Sequence, residues 1–310
     1  MTKNIKNRLL IVLALLLSTN LAFGQISGVV VNSETKEPIP YVNIWVEDAN
    51  IGATSNLSGE FSLPKIAIDQ ILIFSSIGFE TKRLELDSKT IQKQVELDPK
   101  ITELEEVVVL PNQGVLQQVI GSFKKSTIYQ SFGCSEKPWI VARFFPYSEH
   151  YHQTNFLKSI KFLTKSDVQD AKFNVRLYTV NEQGEPGNYL FDKNIFGIAK
   201  KGSKITIVNL STMQIEFPKS GFFIAIEWLI IEPNKYEFKY TMEGSKRKYD
   251  GISFEPSFGT IPSKTAENSW IYSKGKWRKV WKNENQLNHT FSSNYDGKYD
   301  LIAIELTLSN

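Results

Sequence analysis

The sequence predicts an all-β protein made of two stacked-sheet bodies: an N-terminal β-sandwich and a C-terminal jelly-roll-like β-sandwich, joined by a connector with one short helix. Three observations predict it. Aromatic residues make up 12% of the chain and β-branched residues are frequent, the composition of pleated, half-buried surfaces. Short stretches alternate apolar and polar residues with period two, as a strand with one buried face does. Gly, Pro, Asn and Ser punctuate these stretches at short intervals, as turns of a sandwich do.

The amino end precedes the first body. Lys3, Lys6 and Arg8 are followed by an apolar run from Leu9 to Leu17, and Ala22-Phe23-Gly24 places small residues two apart before Gln25. This is the order of a secretory signal peptide over residues 1–24. The run is short of the roughly 20 residues that cross a bilayer, so cleavage is expected and no transmembrane span after it. The protein is expected to be exported, to the periplasm or to the outer-membrane or cell surface. Losing Lys3, Lys6 and Arg8 brings 36 basic residues to 33, level with the 33 acidic ones. A neutral chain without a basic block has no electrostatic footprint for nucleic acid. Cys134 is the single cysteine, so stability rests on the core and not on an internal disulfide.

The first body is read over residues 25–99. A strand begins at Ile26-Ser-Gly-Val-Val-Val31. Val42, Ile44 and Val46 alternate with Asn43, Trp45 and Glu47, which predicts one buried face. Ser58-Gly59 carries turn chemistry, and Gly52 and Gly59 suit positive φ or close backbone approach. Ile71–Phe74 reads as a central strand, and Gln94–Leu97 as the last. Asp48, Asn50, Asn56 and Glu60 do not match the spacing of an EF-hand-type loop, so turn formation explains them better than a cation site.

Gly28-Val-Val, Pro38-Ile-Pro-Tyr-Val-Asn-Ile44, Gly52-Ala-Thr-Ser-Asn-Leu-Ser-Gly-Glu-Phe-Ser-Leu63 and Ile73-Phe-Ser-Ser-Ile-Gly-Phe79 follow one order. This stretch, a quarter of the chain, resembles the carboxypeptidase-regulatory-like domain. The resemblance implies a transthyretin-like β-sandwich, an accessory or interaction role without peptidase residues, and an exported protein of Bacteroidetes type.

The connector is read over residues 100–135. Leu104-Glu-Glu-Val-Val-Val-Leu110 resembles the segment that joins this domain to the plug of starch-utilisation-type TonB-dependent receptors. Only about 200 residues follow it, too few for a plug and a many-stranded barrel. A linker or pairing strand is the simpler reading, and edge addition to a partner is the functional one. Apolar residues at 115, 116, 119, 120 and 123 have helical spacing, and Lys124-Lys125 suits a helix C-terminus. A short helix is therefore expected over Val115–Phe123.

The second body is read over residues 136–310. Val175, Leu177 and Thr179 alternate with Arg176, Tyr178 and Val180. Ile205–Val208 is a strand candidate, and Gly221–Ile231 is the best central strand. Leu301–Leu308 alternates and is expected to dock inside a sheet. Phe173–Tyr178, Gly184–Gly187 and Phe217–Phe223 resemble a C-terminal domain that follows the same module in exported bacterial proteins, a family that implies no activity.

Two clusters carry candidate chemistry. His150 and His152, two apart, would point to one side of a strand and offer two metal ligands, with His289 the one other histidine. Trp270-Ile-Tyr272, a turn at Gly275, and Trp277-Arg-Lys-Val-Trp281 read as a hairpin. Trp270 and Tyr272 fall on one face of its first strand, and Trp277 and Trp281 on one face of its second. Such faces stack on sugar rings or peptides, or pair across strands over a core. No GxSxG elbow and no HExxH motif occurs, and no cofactor is expected. The leading expectation is a non-catalytic cell-envelope binding or assembly protein whose partner is an envelope protein or a glycan. The alternative is a hydrolase-associated protein with its active site in the second body.

Overall fold

The computed structural model describes residues 26–64, 66, 70–86, 94–100, 116–242, 244–284 and 294–310. The signal segment, Leu104–Leu110, Val115 and His289 lie outside the described residues. The protein is all-β, as its composition and alternation predict.

Among the described residues the first sandwich holds seven strands: β1 (Ile26–Asn32), β2 (Asn43–Val46), β3 (Gly52–Thr54), β4 (Glu60–Leu63), β5 (Ile71–Ser75), β6 (Lys82–Glu85) and β7 (Gln94–Leu97). They form two sheets, ordered β4-β1-β7 and β3-β2-β5-β6. β1 runs antiparallel to β4 and parallel to β7. Val30, Ile44, Leu63, Leu72, Phe74 and Leu97 fill the space between the sheets. Gly59 has φ +72°, and a Cβ there would come within 2.5 Å of the Val30 carbonyl oxygen. That close approach accounts for a glycine in this turn. Asn56 Oδ1 accepts hydrogen bonds from the Ser58 and Glu60 amides at 2.9 and 3.0 Å, so Asn56 builds the turn, as expected of an Asx residue.

The second sandwich begins with β8 (Gln117–Ile120), β9 (Ser131–Cys134), β10 (Ile140–Phe145), β11 (Phe156–Ser166), β12 (Ala171–Val180), β13 (Pro186–Tyr189), β14 (Ile195–Ala199) and β15 (Gly202–Asn209). It continues with β16 (Phe222–Trp228), β17 (Lys235–Thr241), β18 (Lys248–Ser263), β19 (Ser269–Ser273), β20 (Lys276–Lys279), β21 (Tyr299–Ile302) and β22 (Ile304–Ser309). One sheet runs β13-β12-β16-β10-β19-β20, with β14 beside β12. The other runs β17-β18-β11-β22-β8, with β15 beside β11 and β9 and β21 beside β18. Between them lies a core of Phe162, Phe173, Ile224, Ile226, Trp228, Phe258 and Leu306, among others. Its rings meet edge to face, as at Phe173 and Phe258, 4.8 Å apart, the arrangement ring quadrupoles favour. As expected, the chain ends inside a sheet, with β22 between β11 and β8.

Two local expectations are corrected. Of the helix expected over Val115–Phe123, the described residues 116–123 form none. Gln117–Ile120 is a strand paired antiparallel with β22, Gln117 opposite Ser309, followed by a short 3-10 turn at Lys125–Thr127. The apolar spacing is overridden by pairing with the far end of the chain, which local periodicity does not contain. His150 and His152 do not lie on a strand. Glu149–Tyr151 is a 3-10 turn, and His152 Nδ1 lies 2.9 Å from the Glu149 carbonyl oxygen. At about 120° per residue, residues two apart on such a turn diverge.

A third expectation is exceeded. Not only one face of β2 is buried, but all four of its residues. Ile44 and Val46 face the first core, while Asn43 and Trp45 face the second sandwich. The same holds for β16, buried at every position. Phe222, Ile224, Ile226 and Trp228 enter the second core, and Phe223 and Ala225 join Trp45, Ile140, Ala142, Tyr178 and Trp270 in a cluster between the bodies. The two sandwiches thus dock sheet against sheet. Gly52 allows the approach, because a Cβ there would lie 2.6 Å from Pro138 Cγ. Thr54 Oγ1 accepts from the Ile230 amide at 3.0 Å, and Lys172 Nζ donates to Tyr41 Oη at 2.9 Å.

Candidate functional site

Where the docked sheets diverge they leave an open cleft of about 970 Å³. The first sandwich contributes Asn43, Trp45 and Ile73 from β2 and β5, and the turn around Gly78 and Phe79. The second contributes Tyr178 and Tyr189 from β12 and β13, Glu227 from β16, and Tyr272 and Trp277 from β19 and β20. Period two on each strand explains this set. Tyr178 is two positions from Arg176 on the outward face of β12, and Tyr272 is two from Trp270 on the outward face of β19.

The aromatic residues form a connected wall. Tyr178 lies 5.1 Å from Tyr189 and 5.5 Å from Trp277. Trp277 lies 5.2 Å from Tyr272, which meets Trp45 of the other sandwich edge to face at 5.7 Å. Burial, the Tyr189 side chain and Glu227 hold the Tyr178 phenol well above its ordinary pKa, and burial first of all raises Tyr272. Both hydroxyls stay protonated at neutral pH.

Glu227 lies at the cleft floor with its side chain 3% exposed, beside an Arg176 side chain at 0%. Arg176 Nε donates to Glu227 Oε2 at 2.8 Å, and Asn174 Nδ2 donates to the same oxygen at 3.1 Å. Asn43 Nδ2, from the first sandwich, donates to Oε1. Arg176 Nη1 donates to Asn194 Oδ1 at 2.6 Å, and the guanidinium lies 5.7 Å from the centre of the Tyr189 ring. Burial works against its charge, but the Glu227 carboxylate and the two tyrosines outweigh it and raise the Arg176 pKa. The three other acids in the cleft wall, Glu80, Asp192 and Glu216, are exposed.

The four aromatic residues of the predicted hairpin have separate fates. The hairpin exists, with Tyr272 opposite Trp277 and Lys274-Gly275 in the turn at φ 53° and 77°. Tyr272 and Trp277 line the cleft. Trp270 is buried between the bodies, its indole N–H bonded to the Glu267 carbonyl at 3.1 Å. Trp281 does not share a face with Trp277. β20 ends at Lys279, and Trp281, 67% exposed, lies beside Arg278 over a separate hollow with Trp139 and Ile271. The alternation assumed a strand long enough to carry both residues, and this one is four residues long. Among the described residues, no three His, Cys, Asp or Glu side chains are grouped as metal ligands.

Asn43, Trp45, Tyr178, Tyr189 and Glu227 were not singled out from the sequence as site residues. The visible signal was Glu227, the acid that interrupts the apolar run Phe222–Ile231, and Arg176 in an alternating strand. A charge in such a place needs a buried partner.

Residues 26–109 match the family model of the CarboxypepD_reg-like domain. The first sandwich is a CarboxypepD_reg-like domain. No curated protein matches the chain. Among solved structures, the chain has distant likeness to a clostridial cysteine protease after propeptide cleavage, with 13% identity over 80% of this chain and 53% of that one, at a TM-score of 0.35. It is also distantly similar to the structure of infectious bursal disease virus Gx strain, with 10% identity over 92% and 58% of the two chains, at a TM-score of 0.25. The chain spans a little over half the length of these structures. Likeness at this level carries no functional argument. The CarboxypepD_reg-like domain here is mounted on a second sandwich that supplies most of the cleft wall. Among the described residues, no helix is long and apolar enough to cross a membrane.

Proposed function

We propose that this is a non-catalytic, exported binding component of the cell envelope, which holds an extended glycan or peptide in the cleft between its two sandwiches. The observation that carries the reading is the wall of Trp45, Tyr178, Tyr189, Tyr272 and Trp277 along a cleft of about 970 Å³. Ligand sites favour such concave, aromatic places at domain boundaries, with a few polar groups to orient the ligand. Glu227, the buried acid of the cleft, is committed to Arg176, Asn174 and Asn43. Its oxygens are taken up by those three donors and not turned to a substrate, and this favours binding over the hydrolase reading. The leader-like residues 1–24 and the CarboxypepD_reg-like domain support export and an accessory role.

Labelled protein applied to glycan and peptide arrays tests the reading, beside a Tyr272→Ala, Trp277→Ala variant checked for unchanged thermal unfolding. Array binding that disappears in the variant is expected. An array without signal, or signal equal in both proteins, overturns the cleft as the binding site. Fractionation of expressing cells tests export, and retention of residues 1–24 on cytoplasmic protein overturns that part.

A further inference from the structure

β17 ends its sheet, in the order β17-β18-β11-β22-β8, and among the described residues it pairs with β18 alone. Over Lys248–Ser253, β17 is in turn the one described strand beside β18, so the two form a two-stranded ribbon. With seven residues, β17 is longer than β8, β13 and β20, the four-residue strands at the other ends of the two sheet orders. Such an edge offers a row of backbone N–H and C=O groups to any chain that lies down beside it.

The devices that usually blunt an edge are missing from β17. It holds no proline, and its register with β18 runs without a bulge from Lys235 opposite Phe254 to Thr241 opposite Lys248. Its two lysines are each answered by an acid, Lys235 by Glu237 at 2.6 Å and Lys239 by Asp250 at 3.4 Å, so the edge carries no cationic guard. The Phe238 ring leans inward over β18, away from the open side, since a Cβ on Gly251 would lie 2.7 Å from its Cε2 and Cζ. Tyr236 and Tyr240 flank that ring at 5.9 and 6.0 Å. Period two puts these three rings on one face and Lys235, Glu237, Lys239 and Thr241 on the other. Every residue from Glu237 to Thr241 is exposed.

We propose that β17 is a homodimerisation edge, at which two copies of this chain join antiparallel about a two-fold axis at Phe238 to make one continuous sheet. Charge along the strand selects both the occupant and the register. In an isologous pair with like faces together, a residue of β17 sits on the axis opposite its own copy. With Phe238 there, Glu237 lies opposite Lys239 of the second copy, Lys239 opposite its Glu237, and Tyr236 opposite its Tyr240. With Glu237 on the axis, Glu237 would oppose itself and Lys235 would oppose Lys239. With Lys239 on the axis, Lys239 would oppose itself. Like charges directly opposite destabilise, whereas opposite charges and aromatic pairs stabilise, so the Phe238 register wins. Registers centred on Tyr236 or Tyr240 pair only residues 235–237 or 239–241 of the strand. The intrachain ion pairs are exposed, Glu237 at 69% and Lys239 at 71% of their side chains, so turning these groups toward a second copy gives up little. A seven-residue edge is a small contact beside a standard interface, and the dimer is expected to fall apart on dilution. The edge is separate from the interdomain cleft and stands whether or not the cleft holds a ligand.

Sedimentation equilibrium of the chain as purified from expressing cells tests it, over a dilution series that begins at millimolar concentration. A mass that climbs with concentration from one chain to two is expected. Glu237→Lys alone, or Lys239→Glu alone, sets like charges at both symmetric contacts and is expected to raise the dimer Kd about tenfold. An equimolar mixture of the two variants sets opposite charges at both contacts again, and is expected to dimerise about as tightly as the parent. Three results overturn the proposal: a monomer throughout the series, a dimer that neither reversal weakens, or a mixture no tighter than its separate components. Both substitutions alter exposed side chains, and thermal unfolding matched to the parent shows the variants folded.

Discussion

Arg176 and Glu227 form an ion pair at 2.8 Å with both side chains withdrawn from water. Asn43 of the other sandwich donates a further hydrogen bond to the same carboxylate. The pair thus belongs to the second body by sequence and to the contact between bodies by position. Removing one partner leaves a charge stranded in a dry place. Arg176→Met is expected to cost about 3–5 kcal/mol in urea unfolding. Arg176→Met combined with Glu227→Met is expected to cost less than the two single changes added together. Additive losses would show that the two groups do not act as a pair.

Trp45 is an apolar contact of the first sandwich with the second, as is Tyr41, which packs against Leu229 and Ile231. Trp45 is buried among Ile140, Ala142, Tyr178, Phe223 and Trp270. Trp45→Ala is expected to cost about 3–5 kcal/mol, as for a core tryptophan. Because that loss falls between the bodies, limited proteolysis is expected to cut near residue 100 faster than in the parent protein. Cleavage at an unchanged rate would place the two sandwiches in weaker contact than the geometry indicates.

Cys134 is buried, and burial pushes its thiol up to about 12. The thiolate is the reactive form. Native protein at pH 8 is therefore expected to resist a thiol reagent such as 5,5′-dithiobis(2-nitrobenzoate), and to release one equivalent of chromophore on denaturation. Rapid labelling of the folded protein would contradict this environment.

Gly197 in β14 lies against Phe173, and a Cβ there would come within 2.1 Å of that ring's Cζ. Phe173 is fully buried and has no room to swing. Gly197→Ala is expected to cost about 1–3 kcal/mol, as overpacking does, and to lower the thermal midpoint. An unchanged midpoint would mean that the strand shifts freely.

Burial raises the carboxyls of Asp300 and Glu255 above their ordinary values, with Asp167 adding to the rise at Glu255. A raised acid holds its proton longer folded than unfolded, so the folded state binds more protons in that window. Its contribution to stability is full below the unfolded pKa, near 4, and is lost as pH rises through the folded one. Subtracting the unfolding free energy of an Asp300→Asn, Glu255→Gln variant from that of the parent is expected to leave a difference that falls from pH 4 upward. A flat or rising difference would reverse the assignment.

Much of this architecture could be read from residue order. Ile304–Leu308 alternates with period two, Gly275 marks the turn of a hairpin, and Ile71–Phe74 and Phe222–Ile226 are continuous apolar runs that read as central strands. What escaped depends on distant segments. Gln117–Ile120 is a strand because residues 306–309 lie beside it, and β2 is buried on both faces because another sandwich covers Asn43 and Trp45. The site was half legible for the same reason. Tyr272 and Trp277 came from one hairpin, whereas Trp45, Tyr178 and Glu227 meet them only after the bodies dock.

That docking has a mechanical consequence. With Trp45 seated, Gly52 pressed to Pro138 and Thr54 tied to Ile230, the halves tumble as a single particle and not as beads on a string. Any anchor at the amino end then fixes the heading of the β17–β18 ribbon, which points like a vane instead of sweeping a volume.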